Sequence, residues 1–171
     1  MNRILIVCAL LLSCSVAASA QDASKVEAFG GYSYLRIMTD GTSINGNGGV
    51  GSVSYNFIPK VGVVGEFGGY HLTANGDTGT ALTYLFGPKV HASVGRLTPF
   101  AQVLFGGARL MADGESENAF AMSFGGGADY NLTHHVGIRL GQIEYVLTKF
   151  NDFGNSHQNS FRYSAGVTVR F

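Results

Sequence analysis

Side chains capable of nucleophilic, acid–base or metal chemistry are few in this chain, and they are scattered. His91-Ala-Ser93 places a base two residues from a hydroxyl, and an imidazole that reaches a serine proton can activate the oxygen. No third group stands near enough in sequence to orient that imidazole. His157 and Ser160 repeat the pairing in a polar segment with only Asp152 nearby. His134-His135 offers two imidazoles side by side. Adjacent turn or strand residues do not converge on a metal as helical i, i+4 pairs do, so a solvated turn is expected there. There is neither a phosphate-binding loop nor a dinucleotide fingerprint. No catalytic residue, cofactor or metal is expected.

A second set has another chemistry. Glu27, Glu66, Asp129 and Glu144 with Lys89, Arg139, Arg162 and Arg170 are four acids and four bases, each within a run that alternates polar and apolar residues. Successive side chains of a strand point to opposite faces, so all eight fall on the polar face of their strands. If that face is enclosed, the charges must pair, since burying an unpaired ion costs several kcal/mol. Adjacency predicts Glu144 with Arg162 and Glu27 with Arg170, while Asp129 and Arg139 flank one short turn. Such a network can be an ion path or gate, or a structural plug. The plug is favoured, because an eight-stranded barrel is just wide enough inside for side chains to fill it.

The elements that must hold these residues are eight strands, read at 25–37, 48–57, 61–73, 79–91, 98–110, 119–131, 136–147 and 160–171. The last is the clearest. Phe161, Tyr163, Ala165, Val167, Val169 and Phe171 share one face, and Arg162, Ser164, Gly166, Thr168 and Arg170 the other. An apolar row facing lipid with a polar row facing a lumen explains that pattern. In strand six Phe120, Met122, Phe124, Ala128 and Tyr130 face outward, and in strand two Val53, Tyr55 and Phe57 do so. The phase of strand seven slips near Gly141-Gln142, which predicts a β-bulge. Tyr32, Tyr34, Tyr130, Tyr145 and Tyr163 sit near the proposed strand ends, where interfacial girdles belong.

Connections are expected to alternate in length. Ile58–Lys60, Ala92–Leu97 and Leu132–His135 read as short turns, whereas Met38–Asn47, Ala74–Thr78, Met111–Asn118 and Thr148–Asn159 read as long loops. The long segments carry Asp40, Asp77, Asp113, Glu115, Glu117 and Asp152 against Lys149 alone. The short turns carry Lys60, Arg96, His134 and His135. The loop acids read either as the ordinary polarity of loops or as a functional acidic rim, suited to a basic partner or to divalent cations. The chain has 25 glycines, three prolines and no formal net charge, which suits curved strands and gives nucleic acid no basic patch to bind.

The N-terminus reads as an export signal. Arg3 supplies the basic region, Ile4–Leu12 the apolar core, and Ala18-Ser-Ala20 the small-residue cleavage site, so residues 1–20 are expected to be removed and 21–171 to form one domain. A lipoprotein signal at Cys14 is the rival, with Leu12 directly before Ser13 a poor match. Both cysteines, Cys8 and Cys14, lie in this segment.

Val26–Leu35, Leu85–Lys89, Pro99–Gly107, Gly125–Leu132 and Gly137–Leu140 followed by Glu144-Tyr145 resemble, in order and spacing, the small outer-membrane β-barrel family typified by the OmpA transmembrane domain and OmpX. The resemblance implies an all-β, eight-stranded antiparallel up-and-down transmembrane barrel in the outer membrane of a Gram-negative-type bacterium. Outer-membrane lipid, lipopolysaccharide and the barrel-assembly machinery would be its partners, with a possible extracellular partner at the acidic loops, and the chain would be a monomer. By the same resemblance Tyr163, Ala165, Val167, Val169 and Phe171 form the C-terminal assembly signal. The implied function is non-enzymatic: envelope integrity and the display of surface loops. A narrow channel and an exported soluble ligand-binding barrel are the alternatives. A lipid A-modifying enzyme is another, His91-Ala-Ser93 having the His-x-Ser spacing of the family's deacylase but at the periplasmic end of its strand.

Overall fold

The computed structural model describes residues 25–39, 42–74, 77–112, 115–149 and 157–171. The signal segment with Ala18 and Ala20 lies outside them. Eight strands follow one another: β1 (Val26–Thr39), β2 (Thr42–Ile58), β3 (Val61–Ala74), β4 (Asp77–His91), β5 (Leu97–Ala112), β6 (Glu115–Asn131), β7 (Val136–Lys149) and β8 (His157–Arg170). Each pairs antiparallel with its neighbours in sequence, and β8 returns to β1 in register from Glu27↔Arg170 to Met38↔Asn159. The barrel is closed. At the seam Phe171 N donates to Val26 O at 2.9 Å, and Val26 N to Phe171 O at 3.3 Å. Closure leaves no strand edge unpaired, which is the condition for a sheet to cross lipid.

The alternation read from the sequence sets the two faces. Outward, Val53 (58% exposed), Phe67 (71%) and Phe86 (68%) stand clear of the wall, while inward Ser52, Ser54, Glu66 and Lys89 are buried. Phe124, Tyr145 and Phe161 are direct cross-strand neighbours on β6, β7 and β8, with centroids 5.4 and 5.2 Å apart, and form one aromatic row across the outside. At the β1–β8 seam the strands approach so closely that a Cβ on Gly31 would strike the Ala165 carbonyl, and one on Gly166 the Gly30 carbonyl. Gly95 takes a positive φ of 63° in the turn before β5.

The predicted alternation of loop length does not hold. Most of the four segments read as long loops continue the strands: the ladders run out to Thr39↔Thr42, Ala74↔Asp77 and Ala112↔Glu115, and Lys149 still pairs with His157. Between the first three pairs only two residues remain, and their types (Asp40-Gly41, Asn75-Gly76, Asp113-Gly114) are those of two-residue hairpin connections. At the termini end the links are 59–60, 92–96 and 132–135, no shorter than those opposite for the first three hairpins. Glycine, threonine and asparagine mimic loop composition, yet ladder hydrogen bonds are made by the backbone and need no particular side chain. Strands of 14–17 residues reach about 45–55 Å at about 3.3 Å per residue, well beyond an apolar band of about 25 Å even when tilted. Tyr32, Tyr145 and Tyr163 accordingly fall within their strands rather than at the ends.

The phase slip in β7 is a bulge. Ala128 opposes Gly141 and the next residue, Asp129, opposes Arg139, so Leu140 has no partner across the ladder. Leu140 faces out, and Arg139 and Gln142, three apart, both point into the lumen.

Candidate functional site: the barrel interior

All eight sequence-predicted charges project into the lumen, and they divide into two groups. Nearer the termini, the Glu27 carboxylate accepts from Lys89 Nζ (2.7 Å), Arg139 Nη2 (3.2 Å) and Arg170 Nε (2.8 Å). Asp129 receives a two-pronged contact from Arg139, Nε at 2.7 Å and Nη2 at 3.1 Å, with Arg170 Nη2 at 3.5 Å. The Arg139 guanidinium lies between the Phe29 and Phe100 rings, 4.1 and 4.3 Å from their centroids. Arg170 also donates to Asn131.

The second group lies deeper. Glu144 accepts from Arg162 Nε (2.8 Å) and Nη2 (2.5 Å), from Gln102 (3.0 Å), from Ser123 (3.3 Å) and from Gln142 (2.8 Å). Arg162 bonds Glu66 as well, and its Nη1 donates to the Tyr70 hydroxyl at 3.2 Å. Tyr70 continues to Ser33 (3.3 Å), whose hydroxyl lies 2.8 Å from that of Ser164.

Gln142 joins the two groups. Its Oε1 accepts from Arg139 Nη1 at 2.7 Å, while its amide nitrogen donates to Glu144 and to Glu66 (3.2 Å). Two acids and three bases make the first group net positive, and two acids with one base make the second net negative. Each carboxylate therefore has at least one cation beside it, and Glu66 and Glu144 have neutral donors as well, as enclosure of charge requires. The residues that the charge-based reading missed are the neutral ones: Gln102, Gln142, Ser33, Ser123, Tyr70, Asn131 and the two phenylalanines. Their inward parity was available from the alternation, and for Gln142 from the bulge, but neutral side chains give no sign of their own that they pair.

Above the charges the lumen changes character. Leu35, Ile37, Tyr70, Leu72 and Ala81 pack together with Ile44 and Leu110 at the hairpin end. A cavity of about 40 Å³ remains there, floored by Arg162 and Tyr70 and walled by Leu35, Ile37, Leu110 and Val146. Val64, Leu85, Leu104, Ala108 and Ala121 form an apolar wall along β3–β6. The outer face changes in the opposite sense: Arg36, Asn45, His71, Arg109, Asn118 and Lys149 are exposed at these levels. Tyr32 and Tyr34 donate to Asn47 (2.5 Å) and Asn45 (2.9 Å).

The scattered histidines stay apart. His91 ends β4, and the Ser93 hydroxyl lies 3.5 Å from Thr98 Oγ1 rather than on the imidazole. Ser160, considered with His157 for its hydroxyl, is buried facing the lumen on β8. His134 and His135 are exposed in the β6–β7 turn. Among the described residues no three His, Asp or Glu side chains converge as metal ligands.

A closed eight-stranded sheet, apolar outside and polar within through its middle, is a membrane-spanning β-barrel. The chain belongs to the outer membrane protein beta-barrel domain family, which matches residues 6–171, and is thus a protein of the Gram-negative outer membrane. No curated protein sequence matches it. Among solved structures, Neisserial surface protein A superimposes with a TM-score of 0.71 at 16% identity, over 88% of this chain and 100% of that one. Ail, the attachment invasion locus protein of Yersinia pestis, gives 0.56 at 19% identity over 85% of this chain and 97% of its own. OprG of Pseudomonas aeruginosa gives 0.55 at 12% identity over 89% and 98%. At these identities the likeness is one of fold.

Proposed function

We propose that this protein is a non-enzymatic, monomeric barrel that reinforces the outer membrane and carries four extended hairpins to the cell surface, with both chain termini toward the periplasm. The observation that supports this most directly is the filled lumen: Arg139, Arg162, Tyr70, Gln142, Glu66 and Glu144 are all essentially inaccessible to solvent. The charge network is a plug that crosslinks β1, β3, β4, β6, β7 and β8 from the inside. The purified protein should show no large, steady conductance in planar bilayers, since eight strands enclose little more than their own side chains. Stable openings of general-porin size would overturn this reading in favour of a channel.

The surface role passes from long loops to the hairpin ends at Thr39↔Thr42, Ala74↔Asp77, Ala112↔Glu115 and Lys149↔His157. Their acidic residues suit a basic partner or divalent cations held with lipopolysaccharide phosphates, through contacts that are individually weak and screened by salt. Residues 1–20 serve as the export signal, cleaved after Ala20. The exposed row of Tyr163, Val167 and Phe171, with Ala165 and Val169, is the segment that the assembly machinery recognises. Phe171→Asp should abolish the heat-modifiable folded form in outer-membrane fractions while signal cleavage proceeds. Normal amounts of folded variant would remove the assembly role from this residue.

A further inference from the structure

The end of the barrel that holds the termini carries a feature that the envelope reading does not use. Each connection there pairs a base with exposed aliphatic groups. Ile58, 56% exposed, precedes Pro59-Lys60. Val94 at 69% and Leu97 at 39% flank Gly95-Arg96. Leu132 at 50% and Val136 at 38% flank Thr133-His134-His135. Lys25 completes the circle beside the β2–β3 turn, its carbonyl accepting from Asn56 N at 2.8 Å. The acids at this level, Glu27 and Asp129, are buried in the lumen and bonded to Lys89, Arg139 and Arg170. Among the described residues the charged side chains exposed on this rim are therefore cations.

Aliphatic side chains in an aqueous turn gain nothing from water, and three turns repeat the same arrangement. Directly above them begins the lipid-facing row of Tyr55, Phe57, Tyr130 and Phe171, with Tyr55 and Phe57 stacked edge to face at 5.5 Å. Aromatic groups of this kind mark the membrane–water boundary. The turns thus lie at the depth of lipid headgroups, where an apolar side chain dips into the acyl boundary and a base meets phosphate.

We propose that this rim is a binding surface for anionic phospholipid headgroups, seated on Lys60 and Arg96 and assisted by Lys25, with Ile58, Val94 and Leu132 inserted beside the glycerol backbone. The occupant is lipid rather than a protein because the apolar groups are split among three turns around a ring and form no continuous patch, while the headgroup layer surrounds the barrel on every side. The rim sits at the periplasmic leaflet if the termini face the periplasm, and in that placement the inference rests on the orientation given above.

The test uses the folded full-length barrel in phosphatidylcholine vesicles with a trace of spin-labelled phosphatidylglycerol or phosphatidylcholine. Electron spin resonance reads the relative association of the two lipids with the protein. Wild type should favour phosphatidylglycerol by about fivefold, the scale of one base near an anionic surface, and lose that preference in about 1 M salt, where screening acts within about 3 Å. Lys60→Gln with Arg96→Gln should bring the ratio close to one while heat-modifiability is kept. Arg109→Gln with Lys149→Gln, at the opposite end, should leave it unchanged. No preference in wild type, or a preference that survives the rim variant or vanishes with the hairpin-end variant, would overturn the proposal. Both leaflets of these vesicles have the same lipids, so the result is independent of orientation and of any envelope role.

Discussion

The middle of this barrel and its hairpin end are built from the same eight strands with opposite polarity. In the middle, Ser52 and Ser54 point inward and Val53 and Tyr55 outward, and on β3 Glu66 is inside and Phe67 outside. A few residues further along, Leu35, Leu72 and Ala81 point inward, while Arg36 and His71 on the outer face are exposed. No register shift separates the two regions on β1 or on β3, so residue types change sides and the parity does not. The difference reflects the surroundings. Where lipid is outside, polar groups can be sheltered only within, and they must pair there. Where water is outside, the rule reverts to that of a soluble barrel, apolar within and polar without. The boundary falls near Tyr32, Tyr34 and Tyr163, whose half-exposed rings suit an interface.

Substitutions can break this comparison at either side. The largest effect is expected in the charged middle: Arg162→Ala leaves Glu66 and Glu144 without their shared cation and should destabilise by about 3–5 kcal/mol. Adding Glu66→Gln and Glu144→Gln should recover part of the loss in a denaturant titration in detergent. A silent Arg162→Ala would mean that the lumen is wet and the pairing idle. The outer face gives the next test on a single strand. Phe67→Lys places a cation among lipid chains at a cost of about 2–4 kcal/mol near the midplane, whereas His71→Lys, four residues along the same row, should stay within about 0.5 kcal/mol. Equal costs in a vesicle-refolding titration would dissolve the proposed boundary. The smallest effect sharpens the junction between regions: Tyr70→Phe keeps the ring in the apolar cluster but removes the hydroxyl between Arg162 and Ser33, for about 1 kcal/mol.

Much of this was legible before the structure, and the remainder was hidden for a definite reason. Period-2 patterning located all eight strands, and parity put every one of the eight charges on the inner face, because charge is a strong marker where lipid lies opposite. The bulge in β7 was visible as a phase slip between Ile138 and Ile143. The hairpin ends were misread because the rule that marks strands in lipid, apolar outward and polar inward, stops applying beyond the interface. Thr42–Asn47 looked like loop since its outward residues are polar and three of the eight residues from Thr42 to Gly49 are glycines, yet it is fully paired with β1. The apolar lumen of that region was unreadable for the same reason: Leu35, Ile37 and Leu72 on an inner face contradict a pattern assumed to hold along the whole strand.

The seam between β1 and β8 has one more consequence. Val26 and Phe171 exchange backbone hydrogen bonds, so the first and last strands are as intimately joined as any hairpin, and the ring has no structurally privileged starting point. A circular permutant with a short linker from Phe171 to Lys25, cut between Asn75 and Gly76, would retain every ladder while moving β3 to the end of the chain. Such a molecule separates two properties that coincide in the natural order, the closing of the cylinder and the position of β8 after the other seven strands.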